Sequence, residues 1–202
     1  MAKRFDNLKK IPAEPAARML ANAGMVLRTP VKAPASASVT AVMDELDAAG
    51  AWLDMLDLLA IALPAREATW WACLAARDLV GHDAKKVPLS LEAAEKWVFK
   101  PTEEHRALAR TALETAAIGD DTTLCAMAAL YGAGTLGPDD LSDYPAPPNA
   151  LALSVSAMNL KSAAHVPADM MKRAQRLIDR GVDIARGGNG RVDVDAATTG
   201  AA

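Results

Sequence analysis

The predicted fold class is all-α: an irregular helical bundle or a stack of helical hairpins, built from about eight or nine short helices. Three observations lead there. Alanine supplies roughly a fifth of the 202 residues, so the 51% apolar fraction is carried by alanine and leucine, while aromatic residues make up only 4%. Alanine loses no side-chain entropy in a helix and lets helix axes approach closely. Glycine and proline interrupt the chain roughly every ten to twenty residues, and long alternating runs of Val, Ile, Thr and Tyr are missing. A chain of this length holds one main domain with tails and can build a helical core without disulfides or a structural metal.

Taken in order, residues 1–38 read as a short helix over 13–23, ended by Gly24, and an extended Pro/Ala/Ser linker from Pro30 to Ser38. The main helical domain is predicted over residues 39–186. It opens with a helix carrying Val39, Val42, Met43 and Leu46 at helical spacing and stopped by Gly50. A more hydrophobic helix follows over 51–63, with Trp52, Leu53, Leu56, Leu59 and Ala60 inward and Asp54 and Asp57 at its edge. Pro64 suits the first turn of the next helix, 65–80, which Gly81 closes. Pro88 and Ser90 start a helix through Trp97, with Pro101 as its stop. Thr102, Glu103 and Glu104 open another, whose acidic first turn complements the positive helix end and which is read as far as Ile118. After Gly119 a helix runs to Leu130 or Tyr131, and a long loop with room for one helical turn follows. In ALALSVSAMNL, Leu151, Leu153 and Val155 alternate like a strand, but Asn149 as a cap and the spacing of Leu151, Val155 and Met158 favour helix. A last helix begins at Pro167 and runs to about Ala185. Residues 187–202, GGNGRVDVDAATTGAA onward from Gly187, hold too little apolar surface to fold and are predicted to be a disordered tail.

The net charge of −3 describes an ordinary cytosolic surface and lacks the concentrated basic field of a general nucleic-acid binder. Cys73 and Cys125 both fall in apolar helical stretches and read as buried, reduced thiols. The basic N-terminus is followed by no apolar run of the secretory kind, and the longest uncharged stretch is too short and proline-rich to span a bilayer. A cytoplasmic protein without membrane insertion is therefore expected.

The most distinctive stretch is REATWWACLAARD, residues 66–78. At about 100° per residue, Arg66, Trp70, Cys73 and Arg77 form one stripe, and Glu67, Trp71, Leu74 and Asp78 the adjacent one. Ala68, Ala72, Ala75, Ala76 and Leu79 make a smooth opposite face suited to close packing. Two readings stand side by side. In one, this is a central helix whose tryptophans fill the core while Arg66 and Arg77 pair at its edge. In the other, one tryptophan and the arginines line a groove for a partner or an anionic ligand, Trp and Arg being typical interface anchors. Trp71, sharing its stripe with Leu74, is expected to be the deeper of the two tryptophans.

The run REATWWACLAAR is similar to a motif found in a family of uncharacterised bacterial proteins that carry a domain of unknown function and are associated with type VI secretion genes. The resemblance covers about a dozen residues. It implies a bacterial accessory protein, and it brings no activity and no catalytic residue.

Other constellations carry less. Gly132, Gly134 and Gly137 spell G-x-G-x-x-G, but a helix precedes them and Pro138 with two aspartates follows, where a dinucleotide site needs a strand before and a helix after. These glycines read as a helix end and a loop. His82, His105 and His165 have no ligand partner at helical spacing and read as surface or capping residues. Asp139, Asp140 and Asp143 miss the EF-hand pattern and read as a solvated loop. The last helix places Arg173, Arg176 and Arg180 on one side and Met170, Ala174, Leu177, Ile178 and Val182 on the other. That arginine side is either a solvated face or a docking face for an acidic partner or membrane surface.

No catalytic constellation, metal site or cofactor site is recognisable. The functional expectation is an accessory or adaptor protein acting through protein–protein interaction, with Arg66, Glu67, Trp70, Trp71, Arg77, Asp78, Arg173, Arg176 and Arg180 as candidate binding residues. The alternative is an anion-binding protein or enzyme with a site between helices, using Arg66 or Arg77 against the anion and Glu67 or Asp78 as a base.

Overall fold

The computed structural model describes residues 3–82, 84 and 86–192. Among these residues the chain is all-α, with nine α-helices, two short 3-10 turns and no sheet. The helices are α1 (Ala16–Asn22), α2 (Val39–Ala48), α3 (Trp52–Ala62), α4 (Ala65–Val80), α5 (Leu89–Phe99), α6 (Glu103–Glu114), α7 (Thr123–Tyr131), α8 (Ala150–Ala164) and α9 (Met170–Arg186). Their bounds follow the punctuation in the sequence. The Ser38 and Thr102 side chains accept N–H groups of Ala41 and His105 at the starts of α2 and α6. Proline precedes α4 and α5 directly. The ambiguous ALALSVSAMNL segment is wholly helical within α8, and it has to be, because its Ser154, Val155, Met158 and Asn159 are all buried at helical spacing. Helix α6 stops a turn short of its predicted end, where Thr115 turns its hydroxyl back onto the Thr111 carbonyl.

Two central helices organise the rest. Helix α4 packs on α5, α7, α8 and α9, while α8 packs on α3, α4, α7 and α9. Helices α5, α6 and α7 pack on one another to form one flank, and α1 and α2 on α3 form the other. Alanine does here what its abundance predicts: Ala68, Ala72, Ala75, Ala76, Ala126, Ala128 and Ala129 are buried where α4 and α7 meet their neighbours. The glycines predicted to end a helix do so, and Gly132 also lies so close under the Trp97 ring that a Cβ there would collide with it.

Residues 3–38 are strapped to the helical domain. Phe5 is 1% exposed, the Arg4 guanidinium bonds Asp47, Gln175 and Asp179, and Arg186 donates to carbonyls of Lys3, Arg4 and Asp6. Asp54, expected at the edge of its helix, is 2% exposed. It accepts the backbone N–H groups of Arg28 and Thr29, both at 2.9 Å, and so anchors a segment that has no helix of its own to satisfy them. Burial works against the charge on Asp54, but those N–H groups and the Arg28 guanidinium hold its carboxyl below the usual range.

At the other end, residues 193–202 of the predicted disordered tail lie outside the described residues, whereas residues 187–192 are folded. Gly187 ends α9 in the left-handed conformation (φ 101°), and Gly190 donates its N–H to the Asp183 carboxylate at 2.9 Å. A Cβ at Gly190 would sit 2.7 Å from Leu74 and 2.9 Å from Ile184. The glycines let this strap lie flat against α4 and α9, and low apolar content is a poor guide where backbone itself makes the contact.

The paired tryptophans of α4 differ sharply. Trp71 is 0% exposed, donates its indole N–H to the Leu177 carbonyl at 2.9 Å, and lies against Gly181, where a Cβ would come within 3.2 Å of the ring. Trp70 is only partly buried. Trp71→Ala is therefore expected to cost roughly 3–5 kcal/mol and to lower the melting temperature sharply, with Trp70→Ala costing much less. Thermal melts of the two variants check this, and equal losses would refute the division of roles.

Candidate functional site

The 66–78 helix brings some of its predicted residues to one groove and withdraws others. A groove of about 870 Å³ runs beside α4, with Arg66, Glu67, Trp70, Leu74 and Arg77 along that wall. Val98 and Phe99 at the end of α5, together with Lys10, His82, Glu95, Arg180 and Ile184, and the strap 187–192 line the rest. The Trp70 indole N–H donates to the Asn189 carbonyl at 2.8 Å, which fixes the strap across its ring edge. Phe99 is 86% exposed, an unusual position for a large aromatic side chain, at the mouth of the same groove.

The charges around this groove are mostly paired. Lys10 meets Glu67 at 3.0 Å. Arg77 makes a two-pronged pair with Glu95, at 2.7 and 2.6 Å. Arg66 is exposed and gives its Nε–H to the Val98 carbonyl at 2.6 Å.

Asp78 does not face the groove. Its side chain is 3% exposed and is enclosed by α9, where Arg180 donates to both carboxylate oxygens at 2.7 and 3.1 Å and Arg176 donates at 2.9 Å. His82 reaches the same carboxylate at 2.8 Å from the end of α4. Burial opposes the charge on Asp78, but the Arg180 hydrogen bond and the charges of Arg180 and Arg176 outweigh it and hold the carboxyl below its usual range. The arginine side of α9 is therefore neither a solvated nor a free docking face. Arg180 is buried, Arg176 turns to Asp78, and Arg173 donates to the Ser162 carbonyl of α8 at 2.8 Å. For Arg176 and Arg180 the reason is electrostatic: a carboxylate sealed between helices requires cations, and these two are within reach.

Cys73, on the Trp70 stripe, is fully buried beside Cys125. The hydrogen bond with Cys125, together with burial, pushes the Cys73 thiol well above its ordinary value, away from thiolate chemistry. Among the described residues no three His, Cys, Asp or Glu side chains converge as a metal site would need, and no helix is long and apolar enough to cross a membrane. The sequence reading did not name Lys10, Phe99 or the strap as groove residues. Phe99 had a readable signal, being an aromatic two residues past Trp97 and so off its buried face; Lys10 and the strap arrive only through the tertiary fold.

A family of unknown function, DUF6931, matches residues 42–185, and the chain belongs to it. No curated protein and no solved structure matches the chain. The matched span contains Arg66, Trp70, Asp78 and Phe99 but neither Lys10 nor the strap.

The Asp78 cluster has a pH signature. A carboxyl whose folded value is depressed contributes fully above the ordinary carboxylate range, about pH 4, and loses that contribution as pH falls through the lower folded value. Asp78→Asn leaves Arg180 buried without its counter-charge and is expected to cost roughly 3–5 kcal/mol at neutral pH. The variant should also lose less stability than wild type between neutral and acid pH, as read from melting temperatures across that range. Unchanged melting at neutral pH would show that the cluster does not hold α9 to α4.

Proposed function

We propose that this member of the family is an accessory or adaptor protein that works by binding another protein, and that the groove beside α4 is where it does so. The observation that carries the reading is the pairing of a partly exposed tryptophan with a highly exposed phenylalanine on one concave surface. Aromatic side chains framed by arginine are the usual anchors of protein interfaces, where a few such residues supply most of the binding energy. The similarity of REATWWACLAAR to proteins associated with type VI secretion genes supports a bacterial, cytoplasmic role linked to a secretion system.

An enzyme at the same place has less support. The two bases it would use are engaged, Glu67 with Lys10 and Asp78 with Arg180, so among the described residues the groove offers no free carboxylate to take a proton. Affinity purification of the full chain from its native host at native expression, read by mass spectrometry, is the test. A specific protein should be recovered with wild type and depleted with Trp70→Ala. Recovery of no specific protein would overturn the adaptor reading.

A further inference from the structure

Three cations on this side of the molecule are neutralised within the chain: Lys10 by Glu67, Arg77 by Glu95 and Arg180 by Asp78. Arg66 and Arg191, on opposite walls of the groove, have no carboxylate partner among the described residues. Arg66 is nevertheless held in place, since its Nε–H is tied to the Val98 carbonyl and its two terminal nitrogens make no bond among the described residues. A guanidinium fixed by one edge presents the rest of its planar fork already oriented, which lowers the entropy cost of receiving a carboxylate. Arg191 is exposed on the strap, whose backbone the Trp70 indole and the Asn189 and Asp183 side chains hold. Trp70 and Phe99 line the same groove.

We propose that the groove binds an extended acidic segment of a partner protein, with a carboxylate on Arg66 and an adjacent apolar side chain between Trp70 and Phe99. The inference rests on the adaptor reading and supplies the chemistry of its partner. Charge complementarity selects the occupant. Among the described residues the groove carries positive charge in excess while the whole chain carries −3, so a short acidic segment is attracted locally and a long polyanion such as a nucleic acid is repelled by the rest of the surface. The volume, about 870 Å³, suits a few side chains of a peptide better than a single enclosed ion.

The test presents the immobilised full chain with a phage library of random linear peptides, followed by titration of the enriched peptides in synthetic form. Enrichment of Asp or Glu next to Leu, Phe, Tyr or Trp is expected, with binding that weakens as salt is raised. Arg66→Glu, at an exposed position, should weaken binding by about tenfold or more, and Trp70→Ala by about thirtyfold, both variants being checked by thermal melts for an intact fold. Leu153→Ala, an exposed position on α8 that does not line the groove, should leave it unchanged. The proposal is overturned if acidic peptides are not enriched, if enriched peptides bind the Arg66→Glu variant equally well, or if single-stranded DNA binds better than any peptide. Binding that appears only when Asp193 and Asp195 are replaced by Asn would assign the groove to the chain's own end and overturn it too. A host partner that survives Arg66→Glu would leave the adaptor reading standing and remove this one. Peptide binding without any recoverable host partner would do the reverse.

Discussion

The buried carboxylate of Asp78 constrains how the last helix can sit. Sealed under α9, it requires positive charge from that helix, and Arg176 and Arg180, four residues apart, supply it from one face. Their orientation fixes the rotation of α9 about its own axis. With both arginines turned to α4, Leu177 presents its carbonyl to the Trp71 indole and Gly181 comes under the same ring. A rotation by one residue, about 100°, would leave a buried charge unpaired and drive a side chain into Trp71. Electrostatics and sterics therefore specify the same docking. The strap leaves α9 at Gly187 in the direction that takes Asn189 to Trp70, so the far wall of the groove is a consequence of the buried ion cluster.

Much of this was legible along the chain, and what was not has a common cause. Helical periodicity, proline starts and glycine stops located the elements, including the 65–80 helix residue for residue. Periodicity also predicted that Trp70 and Trp71 would part company. What it cannot supply is the neighbour that covers a given stripe. Asp78 was read as a candidate binding residue or base, and the three arginines of α9 as a solvated or docking face, because charged stripes on amphipathic helices usually meet water or a partner. Here Arg176 and Arg180 meet Asp78, about a hundred residues away in sequence, and Arg173 turns to the Ser162 carbonyl of α8. Asp54 was misplaced for the same reason: its partners are backbone N–H groups of a loop, and a loop leaves no periodic trace.

The strap shows a different limit. Its composition, GGNG, is that of a flexible linker, and the folding cost of glycine argues against order. Order comes instead from places where only glycine fits. At Gly188 a Cβ would strike the Asp183 carboxylate, and at Gly190 it would press into Leu74 and Ile184. A glycine cluster directly after a helix end is therefore ambiguous in sequence, being either slack chain or backbone pressed against a surface. Only the three-dimensional setting of Asp183 and Leu74 distinguishes the two.

The two indoles of α4 finally explain why one wall of the groove is firm and the other less so. Both donate their N–H to carbonyls from the last part of the chain, Trp71 to Leu177 and Trp70 to Asn189. The first bond is buried, and breaking it would strand a donor without water to replace the carbonyl. The second is exposed, so water can compete for both partners and its net contribution is about 1 kcal/mol. Helix α9 is thus fastened to α4 by packing, ion pairs and a protected hydrogen bond together. The strap on Trp70 depends on close backbone contact at Gly190 and the bonds of Asp183. The groove is thus bounded by a firmly fastened helix on one side and on the other by a strap that can shift at modest cost without disturbing the core beneath it.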